Sequence, residues 1–592
     1  MSLRSRLRSV LAVTLLIVSG VAIGTGSVAG SPDDEIREFV AELQTIPADE
    51  LPRADLEIEP KARAPWWITR DEAIEDAERF FYLLRHGWCG YGYFRGGVRS
   101  GEREGDPFVE AQRAVLARLS EKGRWSPGSL ARQIHEQLAF VNDCHLRLND
   151  EPFCRRQEFW FDPHLELREE HGEFQFTLDG ETHRLIEVDG AEPTTHLFPS
   201  FNVAGEAIHL LGTLSAVEPA PLLLTAWRAE QQIRLHRSLS RSEFRPRKKF
   251  ADDRIGGIPV VRVGSFADYY GRELQAIVDR AESYRGEPYV ILDIRGNGGG
   301  NTTWPRRWIQ AFTGGSPSLK QALTELVSRT SMIGRANLFA LLLNVYRGEE
   351  REAVQVDFER FQAEAARFDD PGVTPHWSGI YLPAIDPIPN PTTLIVIQDR
   401  EVASAGEGAI SYLMNQVENV VFVGENTMGA LTFGQVSVHR LPHSKLLVYL
   451  PIKLNVPLDL QIREATGFTP DYWVPARQAL NHAVAAARAG TIPTHVPLPA
   501  GQFDVEFVPE RTLPSWIPRQ RDLVFGLLFL IMGAVVIVAN RKRGHAFFLF
   551  ASLFAFALGA GYVIFKSPAG YVLGVVGLVF AVIGLAKRRR QD

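Results

Sequence analysis

Apolar residues recur at helical spacing between about positions 70 and 140. Ala73, Ala77, Phe80, Phe81 and Leu84 form one set, and Leu130, Ile134, Leu138 and Val141 another. Residues three and four apart share one face of a helix, so this stretch is predicted to be helical. The texture changes between 159 and 250. Short alternating runs such as Phe174-Gln175-Phe176-Thr177-Leu178 end on turn pairs such as Asp179-Gly180, which predicts a β-rich insert. Beyond it, Ile258–Val263, 289–294, Thr393–Gln398 and Val420–Gly424 are short, nearly continuous apolar runs. Strands covered on both faces read that way. Helix-compatible stretches at 271–285 and 403–417 fall between them, and strand alternating with helix implies a largely parallel sheet. Prolines at 493, 497, 499, 509, 514 and 518 suit an extended tether.

Other apolar runs are longer. Arg4, Arg6 and Arg8 precede one from Val10 to about Gly24, followed by the small residues Ser27-Val28-Ala29. This reads as a secretory signal peptide, with an uncleaved anchor helix as the alternative. Either sends the following domain out of the cytoplasm. Runs at 523–539, 546–565 and 571–586 are close to the length that crosses a hydrocarbon core, so three transmembrane helices are expected; the alternative is a buried helical hairpin. Arg541, Lys542 and Arg543 follow the first run and Lys587, Arg588, Arg589 and Arg590 the third. The positive-inside rule then places those ends in the cytoplasm and the large domain outside, at the cell membrane.

The expected organisation is a signal peptide at 1–29, a helical region at 30–158, a β-rich insert at 159–250 and an α/β domain at 251–490. A Pro-rich linker at 491–521 and transmembrane helices at 522–592 complete it. The net charge of −6 over 592 residues argues against a nucleic-acid binder, which needs a basic stripe to neutralise phosphate. Cys89, Cys144 and Cys154 are the only cysteines. One disulfide is the most they can form within the chain, and the sequence does not choose the pair. No metal-ligand spacing such as C-x-x-C is present.

Two segments carry candidate chemistry. Asp293-Ile294-Arg295-Gly296-Asn297-Gly298-Gly299-Gly300 directly follows an apolar strand. Its glycines permit unusual backbone angles, and free N–H groups in such a turn can hold a phosphate or the oxyanion of a tetrahedral intermediate. The Lys-Ser/Thr of a phosphate-binding loop is missing. The second segment is Glu401-Val402-Ala403-Ser404-Ala405-Gly406-Glu407. Ser404 stands where a strand gives way to a helix, so a nucleophile there gains from the positive end of the helix dipole. Ser404-x-x-Glu407 is equally a helix capping box.

In this order the two segments resemble the tail-specific and tricorn-type serine peptidases. Three further elements match: Gly424-Glu425-Asn426-Thr427-Met428-Gly429, then 465–471 with Gly467, Pro470 and Asp471, and upstream Asp143-Cys144-His145. The resemblance spans about 70 to 487. It implies an α/β fold with a ClpP/crotonase-like catalytic core, and hydrolysis of peptide bonds without cofactor or metal. The lysine that the tail-specific branch places after the G-E-x-T turn is absent, since that stretch reads Gly429-Ala430-Leu431-Thr432-Phe433-Gly434. Lys445 and Lys453 match nothing.

The tricorn-like branch uses a histidine and a glutamate instead, and His145 and Glu464 are available. The resemblance therefore implies Ser404 as nucleophile, His145 as base and Glu464 as the acid that orients it, the logic of a Ser-His-acid triad. Ala405 and Gly299 would supply oxyanion N–H groups, with Gly300 as the alternative. His86 is the fallback base, and Asp459 and Asp471 are rivals of Glu464. Cys144 stands where the tricorn-like pattern has a serine; it substitutes for it or is tied up in a disulfide. The expected partners are a polypeptide substrate and the lipid bilayer, with no nucleic acid and with homo-oligomers compatible. The alternative is a catalytically inactive peptide-binding relative at the membrane.

Overall fold

A six-stranded sheet carries the α/β part of the chain. Its order is Phe250–Ile255, Ile258–Val263, Tyr289–Asp293, Thr393–Gln398, Val420–Gly424 and Tyr472–Trp473. The first pair is antiparallel and the rest are parallel. Alternate side chains of the four inner strands enter two separate cores, as the two-residue period of a strand requires. On one face Val290, Leu292, Leu394 and Val396 pack under the helices Gly271–Arg280, Thr303–Thr313 and Ala405–Leu413. On the other, Ile291, Ile395, Ile397 and Val421 pack under Ala479–Ala489. The inner strands are therefore apolar along most of their length, whereas the edge strand Phe250–Ile255 carries Asp252, Asp253 and Arg254. The computed structural model describes residues 32–43, 47, 51–59, 61–95, 105–228, 231–494 and 498, all of which belong to one of the two units into which the chain divides.

A second, antiparallel sheet joins distant parts of the sequence. His376–Trp377, Gln321–Val327, Leu447–Pro457, Asp143–Leu148 and Glu151–Phe153 lie side by side, and Phe433–Arg440 also pairs with Leu447–Pro457. Asp143–Leu148 enters through Leu148 opposite Val448 and Arg147 opposite Tyr449. The helices Arg70–Gly87, Pro107–Leu119, Pro127–Gln137 and Arg329–Leu342 share one core with this sheet, through residues such as Phe80, Leu84, Val115, Leu130, Ile333 and Leu450. Arg70–Gly87 starts at a capping box in which Thr69 and Glu72 satisfy each other's backbone N–H, two of the donors a helix start leaves open.

Seven antiparallel strands lie between Glu158 and Arg237. The chain leaving the last strand returns to the first: Phe161 and Ser240 exchange two backbone hydrogen bonds of 2.9 Å. Arg237 grips buried Asp162 with two bonds of 2.7 and 2.9 Å. The sheet thus curls around Leu167, Phe176, Val188 and Leu224.

One expectation is corrected. The transmembrane helices assigned to the fold are not supported, because no helix among the described residues is long and apolar enough to cross a membrane. The two longest, Arg70–Gly87 and Gly348–Ala366, carry charged residues throughout. Hydropathy alone identifies an apolar run and does not establish a spanning helix. The runs within 522–592 lie outside the described residues, as do the signal-peptide segment 1–29 and nearly all of the linker. The described architecture is a mixed α/β fold.

Candidate active site

The glycine-rich turn is fixed by a buried ionic knot at the end of its strand. Asp293 accepts from Arg262 Nη1 at 2.5 Å and from Arg295 Nε and Nη2 at 2.8 and 2.6 Å. Burial pushes the Asp293 carboxyl up, but Arg295 and Arg262 outweigh it and hold it below the usual range. Arg295 also donates to the carbonyl of Ala476, and Phe244 covers its guanidinium with a centroid distance of 4.1 Å. Past the knot, Asn297 donates through Nδ2 to Val263 at 2.9 Å, and its carbonyl accepts the N–H of Ala403 at 3.0 Å. The turn is thereby bonded to the residue preceding Ser404.

Two glycines in the turn are sterically required. Gly299 has φ +106°, and a Cβ there would lie 2.8 Å from the Cβ of Ser404. Gly300 has φ +138°, and its Cβ would fall 2.1 Å from the carbonyl carbon of Phe266. Side-chain-bearing residues rarely adopt such angles. Gly299 donates its N–H to Asn297 Oδ1 at 3.0 Å. Of the three residues expected to supply oxyanion donors, Gly299 is thus engaged within the turn. Gly300 N–H has no acceptor among the described residues. Ala405 is the first residue of its helix, where an N–H has no acceptor within the helix.

Ser404 sits at the N-terminus of the helix Ala405–Leu413 with φ 51° and ψ −116°, and its side chain makes no capping hydrogen bond. The capping-box reading of Ser404 is therefore not what the chain adopts. Glu407 turns inward instead: it accepts from Gly429 N and Ala430 N, both at 2.7 Å, and from the hydroxyl of Thr427. Burial pushes its carboxyl up to about 6. The Gly424–Gly429 element is in this way bolted to the helix that carries Ser404.

His145 comes from the antiparallel sheet. Its Nδ1 is buried with no hydrogen-bond partner among the described residues. Burial, reinforced by Arg147, pushes its pKa down to about 4. Asp143, two residues earlier, accepts the N–H groups of His145 and Leu146 at 2.8 and 3.0 Å and Trp88 Nε1 at 2.8 Å. Burial pushes Asp143 up to about 6. Glu464 is buried beside it and accepts Cys144 N at 3.0 Å and Thr432 N at 3.2 Å. Burial and the Asp143 charge push Glu464 well above the usual carboxylate range. One polar atom from each of Asp143, His145 and Glu464 lies within 4.8 Å of the other two. Cys144, Ala403 and Ala465, each adjacent in sequence to one of the candidate catalytic residues, pack with Ala430 in one buried cluster.

The open alternatives now have positions. Cys144 is disulfide-bonded to Cys154, and Cys89 is free and buried. His86 lies inside the helix Arg70–Gly87, stacked on Tyr82 at 4.1 Å. Asp459 binds Arg463 at 2.6 Å, and Asp471 accepts Phe422 N at 2.8 Å, so each serves its own loop. Sequence reading gave Asp143 no role of its own. Its signal is the D-x-H spacing, which puts carboxyl and imidazole on the same face of one strand.

Comparisons with known proteins bear on the family of the chain. The sequence profile of peptidase family S41 matches residues 257–474. None of the curated proteins matches significantly. Among solved structures, mature CPAF complexed with lactacystin is 12% identical, over 72% of this chain and 99% of that one, with a TM-score of 0.39. The photosystem II D1 C-terminal processing protease is 14% identical, over 70% and 96%, with a TM-score of 0.29. A lipoprotein from Streptococcus agalactiae is 10% identical, over 73% and 99%, with a TM-score of 0.30. These scores are low and carry no argument; the match of residues 257–474 to peptidase family S41 is what supports a serine-type peptidase.

Proposed function

We propose that the protein hydrolyses peptide bonds through an acyl-enzyme on Ser404, with His145 as general base and Glu464 as the acid that orients it. The observation that carries this reading is the backbone of Ser404. A serine at φ 51° is held in a conformation costing about 1–3 kcal/mol, and such strain concentrates at functional sites. It stands at a helix N-terminus with Gly299 pressed against it, where developing negative charge is favoured.

Neutral His145 takes the hydroxyl proton as Ser404 attacks the carbonyl carbon. The N–H groups of Ala405 and Gly300 stabilise the oxyanion; Gly299 joins them when its bond to Asn297 opens. Imidazolium then protonates the leaving amine, and water repeats the cycle on the ester. Glu464 lies within 4.8 Å of His145, and this gap closes around bound substrate, as catalytic hydrogen bonds tighten on binding. The Cys144–Cys154 disulfide supports an extracytoplasmic, oxidising location.

The test is labelling of the full-length protein by a fluorophosphonate, beside the Ser404→Ala variant. Labelling and peptide turnover that both vanish in the variant support the reading. A folded protein that neither labels nor cleaves a diverse peptide library is the inactive peptide-binding relative instead.

A further inference from the structure

Arg245, Arg247, Lys248 and Lys249 form a basic run at the end of the stretch 159–250, which by sequence alone is an ordinary solvated loop. In the structure it forms one wall of a cleft of about 620 Å³. Arg245, Arg247 and Lys248 line it from the loop, and Arg477, distant in sequence, lines it too. Six cations and three carboxylates border the cleft, in a chain whose net charge is −6. One of the carboxylates, Asp293, is already shared between Arg262 and Arg295. Among the described residues Arg245, Arg247, Lys248 and Arg477 form no ion pair. A concave surface with an excess of one sign, here positive despite Glu243 and Asp253, focuses potential and favours ligands of the other.

The wall is held in place. Ser242 donates to buried Glu425 at one end, and the carbonyl of Lys248 accepts Arg262 Nε at 2.7 Å at the other. Between them Phe244 lies against both Arg295 and Arg262, at centroid distances of 4.1 and 5.6 Å. The cations are thus presented from a pinned segment. The cleft also adjoins the chemistry: Pro246 lies 3.6 Å from where a Cβ on Gly296 would be, and three residues along the same turn Gly299 touches Ser404. Three residues reach at most about 11 Å, which an extended peptide covers in about three to four residues.

We infer that this cleft is a subsite for an acidic segment of the polypeptide substrate, beginning about four residues from the scissile bond. The inference rests on the serine-peptidase reading above and adds a recognition rule to it. The glutamates or aspartates of such a segment meet Arg245, Arg247, Lys248 and Arg477, and aliphatic parts of the segment lie along Phe244.

The test uses full-length Ser404→Ala protein and two fluorescent peptides of equal length, one carrying three glutamates and the other glutamines at those positions. Both orders relative to the scissile bond are made. Anisotropy at low salt is expected to give at least about tenfold tighter binding of the glutamate peptide in one order, with the advantage shrinking as salt rises. Combining Ser404→Ala with Arg245→Glu and Arg247→Glu, or with Arg477→Glu, is expected to remove it. Equal binding of the two peptides, or an advantage that survives both charge reversals, overturns the inference. With unmodified protein, cleavage of both peptides without preference rejects the subsite and leaves the catalytic reading standing. Preferential binding without cleavage does the reverse.

Discussion

Cys144 donates its backbone N–H to Glu464 Oε1 at 3.0 Å, across 320 positions of sequence. The residue preceding the proposed base therefore holds the proposed acid, and a covalent bond to Cys154 holds that residue in turn. The spacing of base and acid is set by main chain and disulfide as much as by the two side chains.

Opening the disulfide should disturb catalysis beyond its effect on stability. Reduction, or Cys154→Ser, is expected to lower stability by about 2–4 kcal/mol. It should also lower kcat about tenfold or more, since small displacements of a catalytic group are costly, with KM nearly unchanged. Steady-state kinetics at a temperature where the variant stays folded decide the matter. An unchanged kcat would show that the crosslink only stabilises.

Gly299→Ala should nearly abolish turnover. The added methyl would stand 2.8 Å from Ser404 Cβ and 3.0 Å from the Ala403 carbonyl oxygen, at φ +106°. A loss of about 10²-fold or more in kcat, with about 1–3 kcal/mol of stability, is expected. Retention of full kcat in a folded variant would remove the turn from the mechanism.

The pH profile should betray the burial of the base. Burial first, then Arg147, pushes His145 down to about 4. A base acts in its neutral form, so protonation of His145 should not limit activity until near pH 4, and an acid limb at higher pH would report the raised carboxyls of Glu464 and Asp143 beside it. The acid limb of kcat/KM reports the free enzyme. A limb near 6.5 would mean that another group, or a solvated His145, controls the reaction.

Glu425→Gln should flatten part of the pH dependence of stability. Burial pushes Glu425 up to about 7, where it accepts Ala476 N at 2.6 Å. Its folded pKa is raised, so the folded state binds the extra proton. That contribution is full below about 4.5 and is lost as pH rises through about 7. The difference in Tm between variant and parent should therefore grow in the variant's favour from pH 4.5 to pH 8. A constant difference would show that Glu425 titrates normally.

Much of the α/β part was legible because burial on both faces writes itself into the sequence. Ile258–Val263, Thr393–Gln398 and Val420–Gly424 read as apolar runs and are strands with those bounds. The run at 289–294 loses only Ile294, where the backbone begins the turn. Asp143–Leu148 was less visible. The sequence around His145 read as the exit of a helix, yet it is a strand whose neighbour, Leu447–Pro457, lies 300 residues away. No local pattern encodes such a partner. The disulfide was illegible for the same reason, since choosing among three cysteines needs their positions in space. At the candidate site, residue types were readable and bonding was not. The engagement of Gly299 by Asn297 and the inward turn of Glu407 depend on a few tenths of an ångström of backbone placement.

The long reach between Cys144 and Glu464 also bears on when the protein can act. The nucleophile belongs to the parallel sheet, while the base rides on a strand made early in synthesis. That strand pairs first only with Glu151–Phe153 beside it, and joins the rest of its sheet when residues 447–457 have emerged. A contact of such separation closes late, after most of the chain has collapsed. A nascent chain shorter than 464 residues thus lacks the proposed acid, and a complete but half-folded copy holds all three proposed residues without the contact that sets base against acid. On the proposed reading, cutting activity would wait for this last closure, and the chain would be inert until it is whole.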